Sequence, residues 1–273
     1  MRILFIGDIF GRPGRDLARR AMGALRKYHG VGLVVANVEN AAAGFGVTRD
    51  LAESLLDDGV DVMTSGNHIW DKKEVLDYIE LEPRLLRPAN FPTGVPGRGV
   101  YVTRAAREPV AVVNIMGRVF MNPLDDPFAV VNRELAALAG EARVVVVDFH
   151  AEATSEKLAM AWYLDGRVTA VIGTHTHVQT ADARVLPGGT AYITDVGMTG
   201  PHDSIIGIET GAALGRFLRG LPGRFEAATA NPRFNGVVIE TDPDTGRART
   251  IERLDLSAAD LDAIVAAAPP ATP

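Results

Sequence analysis

The chain has 273 residues, 47% of them hydrophobic, and a formal charge of −6. That length and apolar content suffice for one large core, and the negative charge gives no general attraction to phosphate backbones, which argues against bulk nucleic-acid binding. With no cysteine, disulfides and thiolate metal sites are excluded; His, Asp, Glu and Asn remain, a set suited to manganese, iron or zinc rather than copper or iron–sulfur clusters.

In chain order, short apolar runs alternate with amphipathic patterns to about residue 180. Ile3 to Ile6, Leu33 to Ala36, Val60 to Met63, Val110 to Ile115, Val144 to Phe149 and Val168 to Ile172 read as strands buried on both faces. Between them, a first helix begins near Pro13 and carries Leu17, Ala18, Ala21 and Leu25 on one face. A second starts at the N-cap Thr48 and runs through Leu51, Leu55 and Leu56. Others are expected from Trp70 to Ile79, Pro127 to Ala139 and Ser155 to Leu164. Beyond Ala181 the pattern changes to Gly-punctuated strands, at Gly189 to Thr194, Phe225 to Ala230, Gly236 to Thr241 and Ala248 to Leu254, with Asp242 to Gly246 as a hairpin turn between the last two. A short helix over Ser257 to Ala267 closes the chain. The expectation is an α/β sandwich in one domain, residues 1–268, with a second sheet from the C-terminal third, helices outside and a flexible tail at 269–273. No apolar run is long enough for a membrane span. The acid at Asp8 comes too early for a secretory signal, so a cytoplasmic location is expected.

The chemistry-bearing residues collect at the ends of these strands. Gly173-Thr174-His175-Thr176-His177 follows one apolar run, and two imidazoles two residues apart share a face if the strand continues. His150 ends another run, and His68 follows a third in Gly66-Asn67-His68, so four of the six histidines sit at strand ends. Asp8 follows the first strand, Asn37, Glu39 and Asn40 the second, and Asn67 the third; the carboxyl ends of strands are where open α/β sheets build their sites. Taken singly, Asp8 reads equally as a turn or cap residue, and the asparagines as turn residues. Jointly they supply enough oxygen and nitrogen donors for two metal ions. Two cations roughly 3.5–4 Å apart suit in-line displacement at phosphorus by a metal-activated water, with His68 placed to protonate the leaving oxygen. No nucleophile elbow, P-loop or H-E-x-x-H helix competes with this reading. Arg12 and Arg15, in Gly11-Arg12-Pro13-Gly14-Arg15, read as part of a helix-starting turn or of a phosphate cradle. His29 reads as a solvated residue at a helix end. His202 reads as a cleft or a loop residue. Phe45 and Trp70 are candidate base-stacking platforms, with helix packing the better reading for Trp70.

The order G-D, an acid after the second strand, G-N-H, a solitary His and G-x-H-x-H resembles the calcineurin-like metallophosphoesterase superfamily. The resemblance implies an αββα sandwich of two mixed β-sheets flanked by helices, with a dinuclear centre. The chain departs from the usual D-x-H and G-D-x-x-D motifs, since Phe10 stands where an imidazole is expected and the second motif is Asn37-Val38-Glu39-Asn40. With G-D-I-F-G-R-P-G-R, G-N-H-I-W-D-K and D-V-G-M-T-G-P, that variant is similar to the YmdB-like branch, bacterial phosphodiesterases acting on cyclic nucleotides, 2′,3′-cyclic ones in particular. The resemblance implies Asp8, Glu39, Asn40 and His177 at one metal, with Asn40 replacing the missing imidazole. It places Glu39, Asn67, His150 and His175 at the other and makes His68 the proton donor. It implies two divalent or mixed-valence ions, iron or manganese with zinc as an alternative, and a small phosphodiester substrate; a homo-oligomer is compatible with it. Asp148, Thr174 and Thr176 are candidates to support the metal-binding imidazoles. The competing readings are a phosphomonoesterase or RNA-end-processing phosphatase, and a metal-bearing regulatory or scaffold protein.

Overall fold

Ile3 and Phe5 of the first strand, β1 (Arg2–Ile6), and Leu4 and Ile6, which alternate with them, are all fully buried. In a strand, odd and even residues face opposite ways, so β1 must be covered on both sides. The computed structural model describes residues 1–267 except Arg107, Pro222 and Gly223, and shows what covers it. The expected tail at 269–273 lies outside the described residues.

One sheet contains β1, β2 (Asp8–Ile9), β3 (Leu33–Asn37), β4 (Val62–Thr64), β11 (Met198–Pro201), β12 (Pro232–Thr241) and β13 (Ala248–Ser257). Its order is β2-β11-β12-β1-β3-β4, with β13 paired to β12; β1, β3 and β4 run parallel, and β12 is antiparallel to β1. The other sheet takes the order β5-β6-β7-β8-β10-β9, from β5 (Val100–Thr103), β6 (Val110–Met116), β7 (Val144–His150), β8 (Ala170–Thr174), β9 (Arg184–Val185) and β10 (Ala191–Ile193). Here β6, β7, β8 and β10 are parallel, with antiparallel edges. Both sheets are therefore mixed, and the α/β sandwich is as expected.

Ile3, Phe5, Val35, Val112, Val146 and Ile172 fill the space between the sheets. The alternate residues Leu4, Ile6, Val34 and Ala36 pack outward under α1 (Gly11–Tyr28), α2 (Arg49–Asp57) and Leu261 of α7 (Ala258–Ala267). Val113, Val145, Val147 and Val171 pack under α4 (Pro127–Ala137) and α5 (Thr154–Leu164). The helices α3 (Val75–Leu81) and α6 (Thr210–Arg219) complete seven among the described residues. Thr48 caps α2 as expected, its hydroxyl accepting from the Leu51 N–H at 3.4 Å. The Asp242 carboxylate holds the β12–β13 turn by accepting from the N–H groups of Asp244 and Thr245.

Three expectations fail. The second sheet is built from the middle of the chain; β12 and β13 return to the first sheet, because β12 pairs antiparallel along all of β1. Phe225 to Ala230 is not a strand, making only a single bridge at Ala227 with Ile208. Residues 70–74 are turns preceding α3; Trp70 packs instead edge-on against Phe91, at 5.6 Å between ring centroids. The helix α6 had no counterpart in the sequence pattern: its Phe217 and Leu218 are about four-fifths exposed, so an apolar stripe does not mark a buried face there.

Candidate metal centre

The parallel strands of both sheets end at one edge of the sandwich, and their next residues meet there. The two sheets are tied together at that edge: the amide of Asn37, the last residue of β3, donates to the Asp148 carboxylate of β7 at 3.2 Å, and the Thr64 hydroxyl of β4 donates to the same oxygen. Asp148 is fully buried, and burial pushes its carboxyl up to about 6, against the pull of His150 and of its three hydrogen-bond donors.

His150, the last residue of β7, is also fully buried. The Thr174 hydroxyl donates to Asp148 Oδ1 at 2.7 Å, so its lone pair is left to accept from His150 Nδ1 at 2.9 Å. That chain sets the tautomer and turns His150 Nε2 toward the site. Three atoms crowd this one nitrogen: Asn67 Oδ1 and His175 Nδ1 at 3.0 Å, and Glu39 Oε1 at 3.1 Å. One N–H has one direction and satisfies only one of the three; a cation among them would satisfy all four atoms. The Glu39, His150 and His175 donor atoms lie within 4.8 Å of one another. Burial opposes the charged ring, yet Glu39 pulls the His150 imidazole up to about 9. Burial likewise works to raise Glu39, but His150 and the His68 N–H hold it down at about 2. A proton and a cation therefore compete for the same nitrogen. His175 is different: burial and the neighbouring His150 push it down to about 3, which keeps it neutral, and Glu152 Oε2 sits 3.1 Å from its other nitrogen. Gly66 is required here, because a Cβ would lie 2.1 Å from the His150 ring.

Beside this cluster, His177 Nδ1 donates to the Ile206 carbonyl at 2.9 Å, which leaves Nε2 unprotonated and 3.9 Å from Asp8 Oδ1. Burial pushes the His177 ring down and the Asp8 carboxyl well up. The strand β8 stops at Thr174, so His175 and His177 do not share a face of a strand as expected. They turn inward through positive φ angles of 100° and 64°, a conformation sparsely populated by non-glycine residues and associated with functional strain.

Among the described residues, six buried side-chain atoms lack a hydrogen-bond partner, and three are Asp8 Oδ1, Glu39 Oε1 and Asn40 Oδ1. Such orphans are rare in folded proteins and call for a specific explanation. Oxygen acceptors beside unprotonated imidazole nitrogens are the donors that a borderline divalent cation takes, so the residues fit the metal ions expected here. The Asn40 amide N–H donates to the Gly44 carbonyl, which aims its oxygen away from that bond. Phe10, at the position of the missing imidazole, is 2% exposed, with Gly44 and Gly207 so close that a Cβ on either would come within 2.6 Å of its ring.

His68 donates its backbone N–H to Glu39 Oε2 at 3.0 Å, and its Nδ1 lies 2.8 Å from Asp71 Oδ2. With Glu39, Asn40, His175 and His177 it lines a cleft of about 590 Å³. Phe45 and Thr176 line it too, whereas His202, His29, Arg12 and Arg15 fall outside. His202 bonds to the Met198 carbonyl and borders a separate cavity behind His177. His29 ends α1, but its side chain is only 12% exposed. Arg12 pairs with Asp16, and Arg15 donates to the Ala41 carbonyl, in a helix-starting turn.

Sequence reasoning missed Asp71, Glu152, Thr64 and the buried ion pair of Lys157 with Asp195, 2.7 Å long. Asp195 accepts from the Thr176 N–H and hydroxyl, and Lys157 donates to the Thr174 carbonyl, so the pair braces the turn that carries His175 and His177. A signal existed: Lys157 shares the i, i+3, i+4, i+7 stripe of Met160, Ala161 and Leu164, where a lysine needs a buried partner.

Two mixed sheets between helices, with a His/Asp/Glu/Asn cluster where parallel strands of both end, make this a protein of the calcineurin-like metallophosphoesterase kind. The chain matches the family described as YmdB-like protein over residues 4–254, and it belongs to that family. It is 51% identical over 254 residues to a 2′,3′-cyclic-nucleotide 2′-phosphodiesterase of Bacillus subtilis, covering 93% of this chain and 96% of that one. Among solved structures, a hypothetical protein from Thermus thermophilus is 45% identical with a TM-score of 0.88, covering 94% of this chain and 99% of that one. A Mycoplasma pneumoniae protein described as a novel phosphatase is 34% identical with a TM-score of 0.89, covering 94% and 93%.

Proposed function

We propose that this chain is a phosphodiesterase that hydrolyses nucleoside 2′,3′-cyclic phosphates at a centre of two divalent cations. The reading is carried by the three orphaned buried oxygens of Asp8, Glu39 and Asn40 beside the crowded His150 nitrogen, and the substrate by the 51% identical relative. Asp8, Glu39, Asn40 and His177 would hold one cation, and Glu39, Asn67, His150 and His175 the other. Two cations held there would supply an activated water and neutralise charge developing on the phosphoryl oxygens.

The chain's own residues do the rest. Asp71 accepts a hydrogen bond from His68 Nδ1, which orients the ring so that its opposite nitrogen, when it carries a proton, would give it to the departing ribose oxygen. Thr174 and Asp148 hold the His150 ring against rotation, and the Lys157–Asp195 pair holds the turn of His175 and His177. The reading takes residues 1–268 as one domain acting on a small substrate in the cytoplasm; no helix among the described residues is long and apolar enough to cross a membrane.

The test is elemental analysis after loading with manganese or iron, followed by a panel of 2′,3′-cyclic, 3′,5′-cyclic and monoester nucleotides. Two ions per chain and preferred turnover of the 2′,3′-cyclic diesters are expected. A stoichiometry that never exceeds one ends the dinuclear reading, and preferred turnover of monoesters replaces the diesterase with a phosphatase.

A further inference from the structure

The cleft has two unlike parts. Its floor is the polar cluster of Glu39, Asn40, His68, His175 and His177, whereas its outer wall is aromatic and aliphatic, with Phe45, Phe225, Ile206 and Ile208, and Arg216 at the rim. Phosphodiester hydrolysis uses only the floor. A cyclic phosphate and its ribose are polar on every side and offer nothing for the wall to cover, so the wall points to a further, flat and apolar-faced part of the substrate.

The wall is ordered outward from His68. Phe45 meets the His68 ring edge-on, with centroids 5.1 Å apart at 74°. Phe225 lies nearly parallel to Phe45, at 6.4 Å and 23°. The Arg216 guanidinium then sits 5.2 Å from the Phe225 ring centroid. Both phenylalanines are half-buried and line the cleft. This line starts where the leaving ribose oxygen would receive its proton and ends at the rim, the direction in which a nucleoside extends from its phosphate.

We propose that Phe45 and Phe225 form the nucleobase subsite, with Arg216 holding the outer ring by its cation–π contact. The inference rests on the phosphodiesterase reading and adds what that reading leaves open: which part of the nucleotide is recognised, and by what. Stacking tolerates every base because each has a π face, so the subsite takes purines and pyrimidines and favours the larger purine.

The experiment compares KM for adenosine 2′,3′-cyclic phosphate, uridine 2′,3′-cyclic phosphate and 1-O-methylribose 2′,3′-cyclic phosphate, which lacks a base. KM is expected to rise in that order, with the base-free compound about 5- to 100-fold above the adenosine one. Phe225→Leu keeps apolar bulk without a π face and should shrink that ratio toward one; Phe225→Tyr should restore it. Equal KM values in the unaltered protein, a measurement independent of how any variant folds, overturn the subsite, as does a ratio that survives Phe225→Leu. Turnover of none of the three by metal-loaded protein overturns the phosphodiesterase reading and the subsite with it, a result distinct from equal turnover of all.

Discussion

The two sides of the candidate centre are built differently. Around His150, three of the four donors are backed: Thr174 and Asp148 hold the His150 ring, Glu152 stands behind His175, and the His68 N–H holds one Glu39 oxygen. Around Asp8, the Ile206 carbonyl holds the His177 ring, the Gly44 carbonyl holds the Asn40 amide nitrogen and the His175 N–H donates to Asp8 Oδ2 at 3.4 Å, while Asp8 Oδ1 and Asn40 Oδ1 have no partner. The first side leaves one buried oxygen, Glu39 Oε1, without a partner but holds most of the donors around it. The second carries buried oxygens whose lost hydration, about 1–3 kcal/mol for each unsatisfied group, is offset only by a ligand. On the proposed reading, the His150 side therefore binds the tighter cation and the Asp8 side the more exchangeable one.

The largest expected effect separates chemistry from that asymmetry. His68 adjoins Asn67 and supports Glu39 through its backbone, but among the described residues its side chain hydrogen-bonds to Asp71 and to none of the proposed donors, so His68→Ala should keep both cations. It should lose about 10²- to 10⁴-fold in turnover of a cyclic nucleotide. The loss should be far smaller on bis-p-nitrophenyl phosphate, because p-nitrophenolate departs without a proton. Rate measurements with both substrates decide; equal losses, or a missing cation, would make His68 part of the His150 side rather than the acid.

Next comes the backing itself. Thr174→Val preserves shape but leaves Asp148 Oδ1 and His150 Nδ1 without the hydroxyl that joins them. Competition titration should show about 10- to 100-fold weaker binding of the tighter cation, with Thr174→Ser restoring it and the weaker cation unaffected. Equal weakening of both cations would show that the two sides are not independent.

The smallest effect is expected at Asn40. Asn40→Ala removes one neutral oxygen from the Asp8 side, and roughly tenfold weaker binding of the exchangeable cation should follow. Turnover should fall in proportion, while the tighter cation stays. Wild-type activity with two ions retained would make Asn40 a turn residue and leave its orphaned oxygen to water.

Much of this protein was legible before any coordinates. The strands from Ile3 to Ile172 are apolar on both faces because helices cover one side of each sheet and the opposite sheet the other, and such runs are visible without knowing their neighbours. Asp8, Glu39, Asn40, Asn67, His68, His150, His175 and His177 stand out because polar residues end those runs, and the structure gathers all eight at one edge. The supporting residues were harder. Asp148 and Lys157 are polar groups within apolar patterns, a sign of a buried partner without its name; Asp71 stands in the G-N-H-I-W-D-K motif without a role attached, and Glu152 has no pattern at all.

The chain alone thus determined the kind of layers, where the main strands end and which candidate donor residues stand there, since these follow from local hydrophobic periodicity and from which side chains can donate. Only the tertiary structure decided that β12 and β13 join β1 rather than forming a sheet of their own, because strand partnership depends on hydrogen bonds between residues more than 200 positions apart. It alone decided that His175 and His177 face inward by left-handed backbone turns, and that Asp195, twenty residues after His175, braces them through Lys157. Periodicity records which face of an element is buried; it does not record what lies against that face.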